Sequence, residues 1–422
     1  MREMINSGIE WLKEIPRDWK IERLQWHMYE INDKNSPIKT TNVLSLTNKR
    51  GVIPYEEKGA QGNISKENYN EYKIAYKDTI VANSMNILIG SVGYSNYEGC
   101  VSPVYYVFKE KDGNDLRFLN YILQTVQFQK ELRKYANGIL EIRLRVSSND
   151  ILKRQAAFPS LDEQERIAAF LDKECSKIDS IYEDVEKQIE TLEQYKSSVI
   201  TEAVTKGLNP NVEMKNSGIS YVGEIPQHWE LHPVYYYFAE GKKSNAACKE
   251  ENLLSLSYGK VIRKDINTNG GLLPASFSTY NIVNKDDIII RPTDLQNDKR
   301  SLRTGLVKER GIITSAYIDL VPYKGVNSHY YHYLLHSYDI MKVFYNMGNG
   351  VRQGLNYSEF SKLILITPSK AEQQEIVAYL DKKCAEIESV IADKKKQLEV
   401  LENYKKSLIY EYVTGKKEVV NE

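Results

Sequence analysis

Apolar positions along this chain follow two rhythms. Residues 161–205 and 370–414 contain neither Pro nor Gly, and their apolar residues step by four and three. The first series is Ile178, Tyr182, Val185, Ile189 and Leu192; the second is Ile387, Ile391, Leu398, Leu401, Leu408 and Tyr412, with Lys394 and Lys405 interrupting it. This is the coiled-coil period, and it predicts two helices of about 45 residues, each roughly 65–70 Å long if continuous. The two lysines are expected to lay their stems across the pair with their heads in water. Ser160 with Glu163, and Ser369 with Glu372, each after a proline, predict capping boxes at the helix starts. Gly207 and Gly415 mark the ends. Elsewhere short β-branched and apolar runs (41–47, 79–81, 101–108, 288–290 and 312–321) alternate with Gly, Asn and Asp clusters, as strands and turns do. One helix is expected in each of these blocks, at 116–135 and 328–346.

The pattern occurs twice. Asn6-Ser7-Gly8-Ile9 through Glu14-Ile15-Pro16 to Trp19 returns 210 positions later as Asn216-Ser217-Gly218-Ile219 through Glu224-Ile225-Pro226 to Trp229. Pro159-Ser160, Gln164, Leu171-Asp172-Lys173 and Cys175 return 209 positions later as Pro368-Ser369, Gln373, Leu380-Asp381-Lys382 and Cys384, and Tyr195-Lys196 and Val204-Thr205 return as Tyr404-Lys405 and Val413-Thr414. Spacing is thus held at both ends of a repeat, while the blocks between differ apart from echoes such as Leu44-Ser45-Leu46 in Leu254-Ser255-Leu256. The expected architecture is α+β: two mixed α/β domains (1–158 and 216–367), conserved spacer helices (159–206 and 368–415) forming a long antiparallel two-helix coiled coil, a linker (207–215) and a C-terminal tail (416–422), arranged as a pseudo-two-fold tandem repeat. The short linker cannot carry the chain back along the first helix, so the second helix buries its seam by running antiparallel to it.

Composition adds constraints. The chain has 422 residues with Lys+Arg 57 against Asp+Glu 57, long enough for two or more domains. Residues 1–155 carry 23 basic and 19 acidic residues and 206–368 carry 19 and 15, both net +4, against net −7 for 156–205 (5 and 12) and net −1 for 369–422 (10 and 11). Positive charge therefore collects on the variable blocks, although far below the level of an autonomous DNA binder. No apolar run reaches the roughly 18 residues of a membrane span. The four cysteines, Cys100, Cys175, Cys248 and Cys384, lie far apart with no C-x-x-C pair, which suits a reducing cytoplasm.

Chemistry is conspicuous by what the motifs exclude. There is no G-x-G-x-x-G after a strand, no G-x-x-x-x-G-K-[ST] and no N-P-P-Y-like loop, Asn209-Pro210-Asn211 being the nearest, so nucleotide and S-adenosylmethionine sites are unsupported and no cofactor is expected. Glu56-Glu57-Lys58 lacks the upstream Pro-Asp of a nuclease and reads as a solvated turn. His329, His332 and His336 share one helical face at i, i+3, i+7, a metal-compatible spacing. The first repeat places Arg117, Asn120 and Gln124 there, however, which argues against a ligand set.

The duplicated N-S-G-I-x-W/Y-x-x-E-I-P-x-x-W motif, the P-S-x-x-E-Q-x-x-I-x-x-F/Y-L-D-K helix start and the Y-K-x-S-x-I-x-E-x-V-T helix end resemble the specificity subunit (HsdS) of type I restriction-modification systems, over essentially the whole chain. The resemblance implies two target-recognition domains reading the halves of an asymmetric bipartite site in double-stranded DNA. It also implies two methyltransferase (HsdM) subunits on the coiled coil, restriction (HsdR) subunits completing the nuclease, and no catalysis by the chain itself. Arg, Lys, Asn and Gln read base edges or hold phosphates. Candidate contacts are therefore Asn48, Lys49, Arg50, Asn83, Asn86, Arg143 and Arg145 in the first block, and Tyr258, Lys260, Arg263, Gln296, Asn297, Lys299, Arg300, Arg303, Arg352 and Gln353 in the second. Candidate coiled-coil and partner positions are Ile178, Val185, Ile189, Leu192, Ile387, Ile391, Leu398, Leu401 and Leu408. A scaffold that does not touch DNA and a nuclease acting alone remain as alternatives; neighbouring methyltransferase and nuclease genes would separate them from the first reading.

Overall fold

The computed structural model describes residues 2–47, 50–58, 68–138, 144–265, 276–293, 302–347 and 354–419. The chain divides into two compact units, Met1–Glu186 with Lys396–Glu422, and Lys187–Lys395. Each unit joins one variable block to a part of each long helix.

In the first unit, Met28–Ile31, Tyr105–Glu110, Thr79–Asn83 and Val92–Ser95 form a four-stranded antiparallel sheet in that order, with Val107 opposite both Ile31 and Val81. Small antiparallel ribbons surround it: Met4–Asn6 with Glu14–Pro16, Lys20–Arg23 with Gln155–Phe158, Leu44–Thr47 with Gly51–Pro54, and Lys73–Ala75 with Gly99–Val101. The second unit repeats every one of these. Its sheet runs Phe238–Glu240, Ile318–Pro322, Ile288–Ile290, Thr304–Leu306, and its ribbons are Met214–Asn216 with Glu224–Pro226, Glu230–Pro233 with Ile364–Thr367, Leu254–Ser257 with Lys260–Arg263, and Asn281–Val283 with Gly311–Ile313. The blocks that differ in sequence therefore share one topology.

The long helices span Leu161–Lys206 and Lys370–Val413, within one residue of the Pro- and Gly-free stretches 161–205 and 370–414 and within two of the expected segments 159–206 and 368–415. Their starts depart from the expected capping boxes. Ser369 Oγ accepts the Glu372 N–H at 3.3 Å, but the Glu372 carboxylate takes the Trp229 indole N–H at 3.1 Å and lies 2.9 Å from His228 Nε2. Glu163 is gripped by both terminal nitrogens of Arg2 at 2.5 and 3.0 Å. In each motif the following glutamine closes the turn: Gln164 donates to the Pro159 carbonyl and Gln373 to that of Pro368. The helix ends are also equivalent. Gly207 and Gly415 take φ of +77° and +69°, and a Cβ there would stand 3.2 Å from the Trp229 ring or 3.1 Å from the Trp19 ring. Glycine thus supplies both the left-handed turn and the room for tryptophan. In the first unit Lys416 Nζ then donates to the carbonyls of Leu12 and Glu14 at 2.7 and 3.0 Å.

Within each unit the helices run antiparallel. Phe170 packs on Tyr412 and Asp179 binds Lys405 in the first; Gln188 meets Lys394 and Lys196 meets Glu388 in the second, so advance along one helix is retreat along the other. Ile167, Leu171, Ile178, Leu408, Ile409 and Val413 join the Trp11, Trp19, Phe118 and Phe128 core of the first unit. Ile200, Val204, Ile376, Leu380 and Cys384 join the Trp229, Tyr330, Leu334 and Phe360 core of the second. Ile178, Val185, Ile387, Ile391 and Leu408 are buried, whereas Ile189, Leu192, Leu398 and Leu401 are only half-buried. Removing apolar surface from water is the main stabilising term, so the five buried positions contribute most to the seam.

Two block helices are shorter than expected. The 116–135 stretch is broken at Thr125, whose extended backbone separates Leu116–Gln124 from Val126–Arg133 and whose hydroxyl donates to the Ile122 carbonyl, a local bond that competes with the helix ladder. The 328–346 stretch ends as an α-helix at Ile340, and Lys342 at φ +60° turns the chain into the 3₁₀ segment Val343–Asn346. Among the described residues no helix is long and apolar enough to cross a membrane.

Candidate nucleic-acid interface

In the first unit the Leu44–Thr47 and Gly51–Pro54 hairpin presents Arg50, exposed and paired with Glu57 at 2.7 Å. Asn83 ends a central strand and is buried; its Oδ1 accepts the Met85 N–H at 3.0 Å, so this side chain builds the turn rather than facing solvent. Asn86, on the outside of that turn, is exposed. Arg145 is brought beside it: its backbone pairs with Asn137, its guanidinium reaches Met85 Sδ at 3.7 Å, and the next N–H, of Val146, donates to Ser84. Arg145, 59 residues from Asn86 in sequence, is thus held against the same turn.

In the second unit the hairpin Leu254–Ser257 and Lys260–Arg263 carries three candidates. Tyr258 is 85% exposed at its tip. Arg263 pairs with Glu309 at 2.8 Å, and Lys260 turns toward the helices, 3.1 Å from Glu388. Arg303 departs most from expectation. It is fully buried, with Nε donating to the Tyr345 hydroxyl at 3.0 Å, Nη1 to the Thr293 carbonyl, and its backbone N–H to Asp339. Ionised groups are buried only when bonded on several sides. Arg303 is so bonded, and its guanidinium is not available to DNA. Asn48, Lys49, Arg143, Gln296, Asn297, Lys299, Arg300, Arg352 and Gln353 lie outside the described residues.

The histidine face resolves as packing. Burial pushes His332 down to about 3, helped by His336 and His329, and burial pushes His336 down to about 4. Both are therefore neutral near pH 7, while exposed His329 sits 3.4 Å from Asp286. Among the described residues no three His, Cys, Asp or Glu side chains are placed to hold a metal ion.

One charged arrangement escaped the sequence reading. Lys405 Nζ lies 2.6 and 2.7 Å from the Asp179 oxygens, and Lys196 Nζ lies 2.6 Å from Glu388. Asp179 and Glu388 are 209 positions apart, as are Lys196 and Lys405, so the helix pair carries the same ion pair in each unit. The repeat offset was the available signal. Lys405 interrupts the seam because it is one member of this pair.

Comparison with known proteins agrees with this geometry. The family model for the type I restriction modification DNA specificity domain matches residues 16–191 and 238–400. A putative type I restriction enzyme MjaX specificity subunit of Methanocaldococcus jannaschii is 24% identical over 426 residues, covering 96% of this chain and 94% of the relative. The MjaVIII specificity subunit of the same organism is 23% identical over 96% of this chain and 95% of its own length. A chain from a structural study of complex assembly and conformational transition of the type I R-M system superposes with a TM-score of 0.67 at 12% identity, covering 96% of this chain and 99% of that one, a likeness of fold. With most of both variable blocks and of both helices inside the family match, the chain belongs to the type I restriction-modification DNA specificity family and is a non-catalytic specificity subunit.

Proposed function

We propose that this chain reads an asymmetric, bipartite target in double-stranded DNA, one half-site per unit, and recruits the subunits that modify and cut it. The observation that carries the reading is one topology built twice with different surface chemistry: the hairpin Leu44–Thr47 and Gly51–Pro54 has Arg50 at its turn, and its counterpart has Tyr258. Equivalent frames with different tips suit readers of different base sequences, since base edges are read by particular side chains and phosphates by any suitable cation. Arg50, Asn86, Arg145, Tyr258 and Arg263 are the described residues assigned to DNA; the candidates outside the described residues stay with them.

Recruitment is assigned to the helix pair. Ile181 and Tyr404 are 50% and 54% exposed in the first unit, and Val390 and Tyr195, at the positions 209 residues away, are 45% and 52% exposed in the second. Exposed apolar side chains are unremarkable singly, but a matched set beside each ion pair suits a partner that binds in two identical copies. That partner is the methyltransferase subunit, with restriction subunits joining the assembly. The test is reconstitution: chain plus methyltransferase should methylate a discontinuous site that neither modifies alone. Methylation by the methyltransferase alone at the same site would refute the proposal.

A further inference from the structure

Lys260 has the composition of a DNA contact and the geometry of a brace. Its hairpin turns through Tyr258 and Gly259, both at positive φ, +45° and +76°, the two-residue geometry whose twist matches that of the flanking strands. Tyrosine rarely accepts that conformation, yet Tyr258 is, at 85%, the most exposed large apolar side chain among the described residues. The turn is pressed onto its own domain. A Cβ on Gly259 would stand 3.0 Å from Leu302 and 3.6 Å from His336. From the next position Lys260 extends to Glu388 Oε2 at 3.1 Å, while Glu388 Oε1 holds Lys196 at 2.6 Å. One carboxylate on the second long helix therefore binds one lysine of the hairpin and one of the first long helix.

The first unit is the internal control. Asp179 and Lys405 reproduce the Glu388 and Lys196 pair, but the residue facing Thr47 across the hairpin is Gly51, where Lys260 faces Ser257. A cavity of about 600 Å³ opens there, lined by Gly51, Gln124 and Gln129 on one side and Asp179, Tyr182 and Lys405 on the other. Only the second unit ties its hairpin to the helices through a side chain at this position.

We infer that Lys260 is a positioning residue, which sets the pose of the 254–263 hairpin and so aims Tyr258 at the DNA, and that it does not itself contact phosphate. The inference rests on the reading that the second unit recognises a half-site. The test is a double-mutant cycle in the complex with methyltransferase, using Lys260→Ala, Glu388→Gln and both together. Readouts are methylation preference at each half-site and the salt dependence of DNA binding, with Asp179→Asn as the control in the first unit. Lys260→Ala and Glu388→Gln should each relax base preference at the second half-site by about two- to fivefold, the scale of an exposed ion pair. The double variant should do no more than either alone, and the first half-site and the salt slope should not change. A salt slope reduced by about one on Lys260→Ala, with Glu388→Gln at parental preference, would make Lys260 a phosphate contact and overturn the inference. A parental complex indifferent to the second half-site would instead refute the reading on which the inference rests.

Discussion

Arg303 offers the sharpest separation of a structural from a DNA-contacting role. Replacing it with alanine removes the donor to the Tyr345 hydroxyl at 3.0 Å and to the Thr293 carbonyl, while fully buried Asp339 keeps the backbone N–H of position 303 and the nearby Lys342. Opening a cavity of this size beside acceptors that lose their donor costs about 3–5 kcal/mol. At roughly 2–4 °C per kcal/mol for a unit of this size, the second unit should melt about 6–20 °C lower. Calorimetry should show the second unit's transition shifted and the first unit's unchanged, and Arg303→Met, which keeps the stem's volume, should recover only the packing part of the loss. DNA binding below the melting point should keep its salt slope. If Arg303→Ala melted with the parent and lost about one unit of salt slope, the side chain would be at the DNA and the assignment would be wrong.

Two further outcomes follow from buried groups. Burial raises Asp287 to about 6 and Asp319 to about 8, with the Asp287 charge adding to the latter. Folding therefore favours their protonated forms, and the associated stability is complete below the ordinary carboxylate range and lost as pH rises through those values. The second unit should lose on the order of 5 kcal/mol between pH 5 and pH 8.5, at about 1.4 kcal/mol for each pH unit over which the folded carboxyl stays protonated, as measured by denaturant melts, and Asp319→Asn should flatten most of that slope; a slope unchanged in Asp319→Asn would refute the assignment. On the helices, Ile178→Asp, at 6% exposure in the core of the first unit, should cost at least about 3 kcal/mol, whereas Ile189→Asp, half-buried, should cost markedly less. Equal losses in urea melts would contradict the burial gradient along the seam.

What could be read from the sequence was whatever is periodic or repeated. The long helices were legible because 161–205 and 370–414 combine an unbroken apolar rhythm with the absence of Pro and Gly, and the two-unit organisation because whole motifs recur. The strand run 101–108 was legible only in outline. Its centre breaks at Ser102-Pro103, between Gly99–Val101 and Tyr105–Glu110, because proline cannot donate to a ladder. The break at Thr125 was hidden because it depends on one side-chain hydrogen bond. Residue type misled at Arg303. An arginine in a variable block is a generic surface residue until its partners are known, and those partners, Asp339 and Tyr345, lie 36 and 42 positions away. The paired lysines of the helices, by contrast, were recoverable from the 209-residue offset alone.

If each unit reads its own half of the target, exchange of one block should change that half alone. Residues 216–367 would be replaced by the second variable block of another member of the family, leaving both long helices and the first block untouched, and the methylated sites mapped across a genome. One half of the site should take a new sequence, with the other half and the number of unread base pairs between them retained. A simultaneous change in both halves, or none in either, would contradict it.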